Sequence, residues 1–162
     1  TTCCEHWNEH CSTDIYYLGG PLDAYFFKYL AGITPTKPGY EEFRIKPHVK
    51  NDLANVAATV NSVRGQVSSH WSKQGDRHFT LDVTVPVNTR ATVCIPTLGL
   101  GPTNIIITES GSAIWVHGEA VNHVKGVSFQ DVQGEYLVWS VGSGRYSFDL
   151  RQSPGVISET RK

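Results

Sequence analysis

A two-residue alternation of apolar and polar side chains governs most of this chain. In "HFTLDVTVP", Phe79, Leu81, Val83 and Val85 alternate with polar neighbours, and "RATVCIP" repeats the pattern with Ala91, Val93 and Ile95. This period places successive side chains on opposite faces of the backbone, so each run predicts a half-buried strand. The "PVNT" between them reads as the turn of a hairpin. Similar runs follow one another in "NVAATVNSV", "GQVSSHWS", "TNIIITE", "SAIWVHG", "GVSFQDV", "EYLVWSVG" and "RYSFDLR", separated by turn-rich "KQGD", "LGLGP", "ESGS" and "GSG". Roughly eight to ten short strands at this spacing predict a mainly β fold, two antiparallel sheets packed face to face in a jelly-roll-like sandwich. A chain of 162 residues with 40% hydrophobic residues can bury such a core.

One stretch breaks the alternation. "GGPLDAYFFKYLAG", residues 19–32, carries helix signals at both ends. Gly20 and Pro21 suit the start, Asp23 meets the positive end, Lys28 lies toward the negative end, and Gly32 terminates. Leu22, Tyr25, Phe26, Tyr29 and Leu30 recur at steps of three and four, a broad apolar face that must pack on something. A single helix with so wide a face implies missing helices. Leu22, Phe26 and Leu30 are therefore expected to be covered by an upstream portion of the protein, by another chain or by self-association. Tyr40, Phe43, Trp71, Trp115 and Trp139 are expected to fill the core or bridge back to the helix. Strand tryptophans also suit sugar rings, but packing is their commoner use.

The first eleven residues, "TTCCEHWNEHC", concentrate chemistry: Cys3, Cys4, Glu5, His6, Trp7, Glu9, His10 and Cys11. Four readings compete, namely a metal site, a disulfide, a catalytic carboxylate and plain helix packing. The ligand types would suit zinc, yet the paired-knuckle spacing of structural zinc motifs is missing and no second ligand pair follows, so no metal is expected. A disulfide from Cys11 to Cys3 or Cys4 is the better reading in an oxidising, extracellular setting. Cys94 stands apart inside a strand, on the polar-facing register if Val93 and Ile95 point to the core, and reads as a small inert side chain.

A net charge of −1 gives no electrostatic case for nucleic acid or anionic lipid as partner, and no apolar run approaches the roughly 18 residues that span a membrane. The "VGSGRY" glycines sit between two strands and form a turn, not a phosphate loop. No cofactor is expected.

The run "GGPLDAYFFKYLAGITPTKPGYEEFRIKP" resembles a junction in glycoside hydrolase family 78, the α-L-rhamnosidases. The resemblance rests on Tyr29 to Ile33 as the end of a last barrel helix, on the Pro38 to Tyr40 turn, and on the Phe43 to Pro47 strand that enters a C-terminal sandwich. "SSHWSKQGDRHFTLDVTVPVNTRATVCIP" is similar to that family's sandwich, and "GSGRYSFDLR" fits its closing strand. The resemblance implies that residues 1–34 are the last part of an (α/α) barrel, residues 35–152 the β-sandwich and residues 153–162 a tail. It also aligns Thr1, Thr2 and Glu5 with a phrase whose glutamate is the general base of an inverting hydrolysis. Trp7 beside it suits stacking on a sugar face. Cys4 stands where the family has tryptophan, which motivates an alternative from another class: a non-catalytic structural or carbohydrate-binding module derived from that family.

Overall fold

The computed structural model describes residues 22, 24–49, 52–121 and 124–154. Twelve strands run through them: β1 (Ile33–Pro35), β2 (Glu42–Ile45), β3 (Asn55–Ser62), β4 (Gly65–Gln74), β5 (His78–Val85), β6 (Arg90–Pro96), β7 (Ile105–Glu109), β8 (Ser112–Val116), β9 (Glu119–Ala120), β10 (Val127–Gln133), β11 (Tyr136–Val141) and β12 (Gly144–Gln152). They form a five-stranded sheet in the order β1-β2-β6-β11-β10 and a seven-stranded sheet in the order β3-β4-β5-β12-β7-β8-β9. All neighbours are antiparallel except β2 and β6, which pair in parallel from Glu42 opposite Arg90 to Ile45 opposite Val93. The mainly β sandwich expected from the alternation is what forms.

Alternation is visible in the burial of each strand. Phe79, Leu81, Val83 and Val85 of β5 point inward while Asp82 is exposed, and Ala91, Val93 and Ile95 of β6 point inward from the other side. Facing positions from the two sheets form one contiguous core, each large side chain contributing on the order of 1.5–3 kcal/mol by leaving water. Trp71 stacks on Phe79 with ring centroids 6.1 Å apart. Farther along, Phe129 of the five-stranded sheet lies 5.0 Å from Trp115 of the seven-stranded one and 5.2 Å from Trp139, so aromatic rings bridge the layers. Trp71, Trp115 and Trp139 are all buried, which makes them packing residues and leaves no flat ring among them for a sugar.

Two expectations need correcting. The "PVNT" turn does not close a hairpin, because β5 and β6 lie in different sheets. A hairpin would set Val83, Val85, Ala91 and Val93 side by side on one sheet face; here residues 86–89 cross the gap so that both strands face the same interior from opposite layers. Thr89 stabilises the crossing by donating its hydroxyl to the Pro86 carbonyl at 2.7 Å, while Asn88 takes a left-handed φ of 55°. True hairpin chemistry appears instead at Ser110 and Gly111, whose φ values of 46° and 83° make the tight turn between β7 and β8.

The second correction concerns Leu30. Helical backbone at Leu22, Ala24 and Tyr25 widens into a π-helical turn at Phe26–Leu30, closed by the Ala31 N–H donating to the Phe26 carbonyl at 3.0 Å. The wider turn rotates Leu30 away from Leu22 and Phe26 and into the sandwich, where it is buried. Leu30 is thus covered by this chain itself, whereas Leu22 and Phe26 remain about half exposed.

Candidate functional site: the helix end held by the sandwich

Glu5, Trp7, Cys3, Cys4 and Cys11 lie outside the described residues, as do Glu9, His6 and His10. What the structure describes is the element that this segment leads into. An α-helix ends with four carbonyls that lack intrahelical partners. Here four successive carbonyls find donors in the sandwich. His48 N–H donates to the Tyr29 carbonyl and Lys46 N–H to the Gly32 carbonyl, both at 3.0 Å. Between them, Trp71 Nε1–H donates to the Leu30 carbonyl at 2.7 Å and the Ser69 hydroxyl to the Ala31 carbonyl at 2.8 Å.

Sequence explains why the approach is so close. Gly32 has φ 77°, the left-handed conformation that ends helices, and a Cβ built there would sit 2.2 Å from the carbonyl carbon of Lys46. Only glycine lets the chain turn and lets the 46–48 segment lie against it. Ser69 is the part that sequence reading passed over. It is wholly buried on the inward register of β4 between Val67 and Trp71, and a hydroxyl placed in that row was the available signal that a backbone group had to be met there.

Opposite the clamped end, the helix carries apolar surface to solvent. Leu22, Phe26 and Tyr29 are each at least half exposed, and Tyr25 and Phe27 are more than a third exposed. Beside them runs a groove of about 460 Å³ lined by Ala24, Phe27, Ile33, Pro35, Tyr40 and Val60. Burial pushes the Tyr40 hydroxyl above its ordinary range, so it stays neutral. Next to the groove, Lys37 bonds Glu42 at 2.7 Å and Arg64 bonds Glu41 at 3.1 Å, tying the 36–42 loop to the turn between β3 and β4.

The outer face of the seven-stranded sheet is different in kind. Arg151 donates to Asp149 through Nε at 2.9 Å and Nη2 at 3.0 Å, and His78 approaches the same carboxylate at 3.3 Å. The Arg151 hydrogen bonds hold the Asp149 carboxyl below the usual range, with His78 adding to the effect against a cost from partial burial. One row away, Ser147 donates to Asp82 at 2.7 Å and Ser72 shares a hydrogen with Thr80 at 2.8 Å. Such pairs consume one another's donors and acceptors. No group of three or more His, Cys, Asp or Glu side chains suited to a metal ion occurs among the described residues. Cys94 is a free thiol on the outward register of β6, yet buried, and that burial raises its pKa despite nearby Lys46 and Arg44. A thiol kept protonated is a poor nucleophile. No helix among the described residues is long and apolar enough to cross a membrane.

Comparison with known proteins places this arrangement. Residues 32–102 match the family described as the bacterial alpha-L-rhamnosidase C-terminal domain. An alpha-L-rhamnosidase of Formosa agariphila is 32% identical over 107 residues, which cover 60% of this chain and 11% of that protein. One from Streptomyces avermitilis is 29% identical over 135 residues, 83% of this chain and again 11% of the relative. The solved structure of alpha-L-rhamnosidase from Dictyoglumus thermophilum superposes on 91% of this chain and 16% of its own, with TM-score 0.71 and 28% identity. The chain therefore spans only about a tenth of the length of the relatives it matches by sequence. The match begins at the glycine that ends the clamped helix and runs through the strands that clamp it, and together with the structural likeness it supports a C-terminal domain of the glycoside hydrolase family 78 rhamnosidase kind.

Proposed function

We propose that this chain is the C-terminal portion of an α-L-rhamnosidase-like glycoside hydrolase, in which residues 1–34 complete a helical barrel, the sandwich of residues 35–152 supports that barrel, and residues 153–162 form a tail. The observation that carries the reading is the two-sided helix: its end is bonded into the sandwich while Leu22, Phe26 and Tyr29 face outward. An apolar helix face beside an apolar groove suits further helices of the same protein, and the relatives have about nine-tenths of their length elsewhere. Upstream barrel helices are thus the partner that covers Leu22 and Phe26.

In this reading Glu5 is the general base. Its carboxylate takes a proton from a water molecule as that water attacks the anomeric carbon of a terminal α-L-rhamnoside. A carboxylic acid elsewhere in the barrel, roughly 6.5–9.5 Å away, gives its proton to the leaving oxygen, and the configuration inverts. Trp7 would stack on the sugar ring and exclude water. No metal or cofactor enters the chemistry. Pairing of Cys11 with Cys3 or Cys4 would fix this segment in a secreted protein.

The test is hydrolysis of an aryl α-L-rhamnoside by the protein that carries this chain together with its barrel. Glu5→Gln should lower kcat by roughly 10²–10⁴-fold, with the released sugar of the parent protein appearing first as the inverted anomer. A parent protein that folds and binds rhamnosides without cleaving them would instead support the non-catalytic module, which the cysteine at position 4 favours. Full activity in Glu5→Gln would overturn the assignment of the base.

A further inference from the structure

We infer that Ser69 and Trp71 are positioning residues for the catalytic segment, setting the rotation and depth of the helix into which Glu5 leads; this inference rests on the reading of Glu5 given above. The two side chains stand two residues apart on the inward face of β4, and both are wholly buried. They hold consecutive carbonyls, Trp71 at Leu30 and Ser69 at Ala31. Consecutive residues of an α-helix are turned by about 100° and raised by about 1.5 Å, and a π-helical turn differs only modestly. Two donors fixed to one strand therefore meet both carbonyls at one rotation and one depth of the helix end. The neighbouring carbonyls of Tyr29 and Gly32 are held from another direction by the backbone of His48 and Lys46. Two separate segments of the sandwich thus grip one helix end, and the grip excludes sliding as well as turning.

Packing alone would not need this. A buried strand position between Val67 and Trp71 is filled as well by alanine or valine, and an apolar contact between helix and sheet leaves register free to vary by fractions of an ångström. Hydrogen bonds to individual carbonyls do not. For a general base, such displacements matter, since a misplacement of about 1 Å can cost roughly 10²-fold in rate. The sandwich accordingly acts on the chemistry through the helix and touches no substrate.

The experiment uses the protein with its barrel and compares Ser69→Ala and Trp71→Phe with Ile107→Val, a core change on β7 remote from β4 in the sheet order. Each variant is first shown to be folded by circular dichroism and assayed well below its unfolding temperature. Ser69→Ala and Trp71→Phe should lower kcat roughly 10-fold with KM nearly unchanged, and should shift the acid limb of the kcat/KM pH profile, which reports the base. Ile107→Val should move neither. Wild-type kcat and pH profile in a folded Ser69→Ala variant would overturn the inference, and so would an equal loss in Ile107→Val, which would mark a merely structural role. Glu5→Gln in the same series separates the two failures. An inactive Glu5→Gln with indifferent clamp variants removes the positioning role alone, whereas an active Glu5→Gln removes the base assignment and the positioning role with it.

Discussion

The helix end and the outer face of the seven-stranded sheet satisfy their polar groups in opposite ways. On the sheet, Asp149, Arg151 and His78 pair among themselves, as do Asp82 with Ser147 and Ser72 with Thr80, all on the outward register and exposed or half-buried. At the helix end, buried donors on the sandwich reach out to the backbone of a different element, and that element turns an apolar face to solvent. The sheet face is complete in itself. The helix face is, in the proposed reading, half of an interface, and the difference shows that a site is recognised less by how many polar groups it holds than by what its bonds are spent on.

The sharpest way to break this contrast is at Gly32. Gly32→Ala should destabilise the chain by about 3 kcal/mol or more, because it adds a Cβ against backbone and places alanine at positive φ. A chemical denaturation midpoint measures it. A loss under ~1 kcal/mol would mean that the 46–48 segment yields easily, and the grip on the helix would then be loose.

A smaller effect is expected from acid. The folded Asp149 carboxyl has a lowered pKa, so its stabilising contribution is complete above the ordinary carboxylate pKa and is lost as pH falls through the lower folded value. Asp149→Asn should therefore leave unfolding at neutral pH almost unaltered in its pH slope and flatten the slope below about pH 4. Salt should weaken the same contribution, since Arg151 is largely exposed. Unfolding curves between pH 2 and pH 7 would show it, and an unchanged acid limb would remove the pair from the stability of this face.

The smallest change in stability should accompany the largest change in surface. Leu22→Ser with Phe26→Ser should alter the unfolding free energy of this chain by no more than about 0.5 kcal/mol, because both side chains are already exposed. The same pair should reduce self-association measured by sedimentation. If the double variant instead unfolded readily, the two side chains would be part of this chain's own core and the half-interface would vanish.

How much of this was readable beforehand differs between the same two regions. The strands were legible because a half-buried strand imprints its period directly, as in Phe79 to Val85. Residues 86–89 misled because a turn between two alternating runs looks the same whether the runs pair or face each other across a core. The choice is made by the rest of the molecule, where β6 is taken up between β2 and β11. Leu30 was grouped with Leu22 and Phe26 on the face that a partner would cover because a regular helical step was assumed, and the π-helical turn shifts the phase after Phe26. Gly32 declared itself as a terminator, yet nothing local to it names Ser69 or Trp71. Those partners lie 38 and 41 residues along the chain from the carbonyls they meet, those of Ala31 and Leu30, a separation that no local pattern records. Glu5 and Trp7 were singled out by resemblance alone, since an acidic residue beside a tryptophan has no period to betray its use.

The bonds between β4 and residues 30–31 also bear on inheritance. A sandwich moved by gene fusion to a new host would begin, by eye, at β1. Cut there, it would leave the Ser69 hydroxyl and the Trp71 indole N–H facing an empty slot, each buried donor costing roughly 1–3 kcal/mol. The segment that travels intact must include the last helical turn through Gly32, a turn that the proposed division assigns to the barrel's last helix. On that reading, a sandwich shuffled with its clamp intact would carry the turn with it.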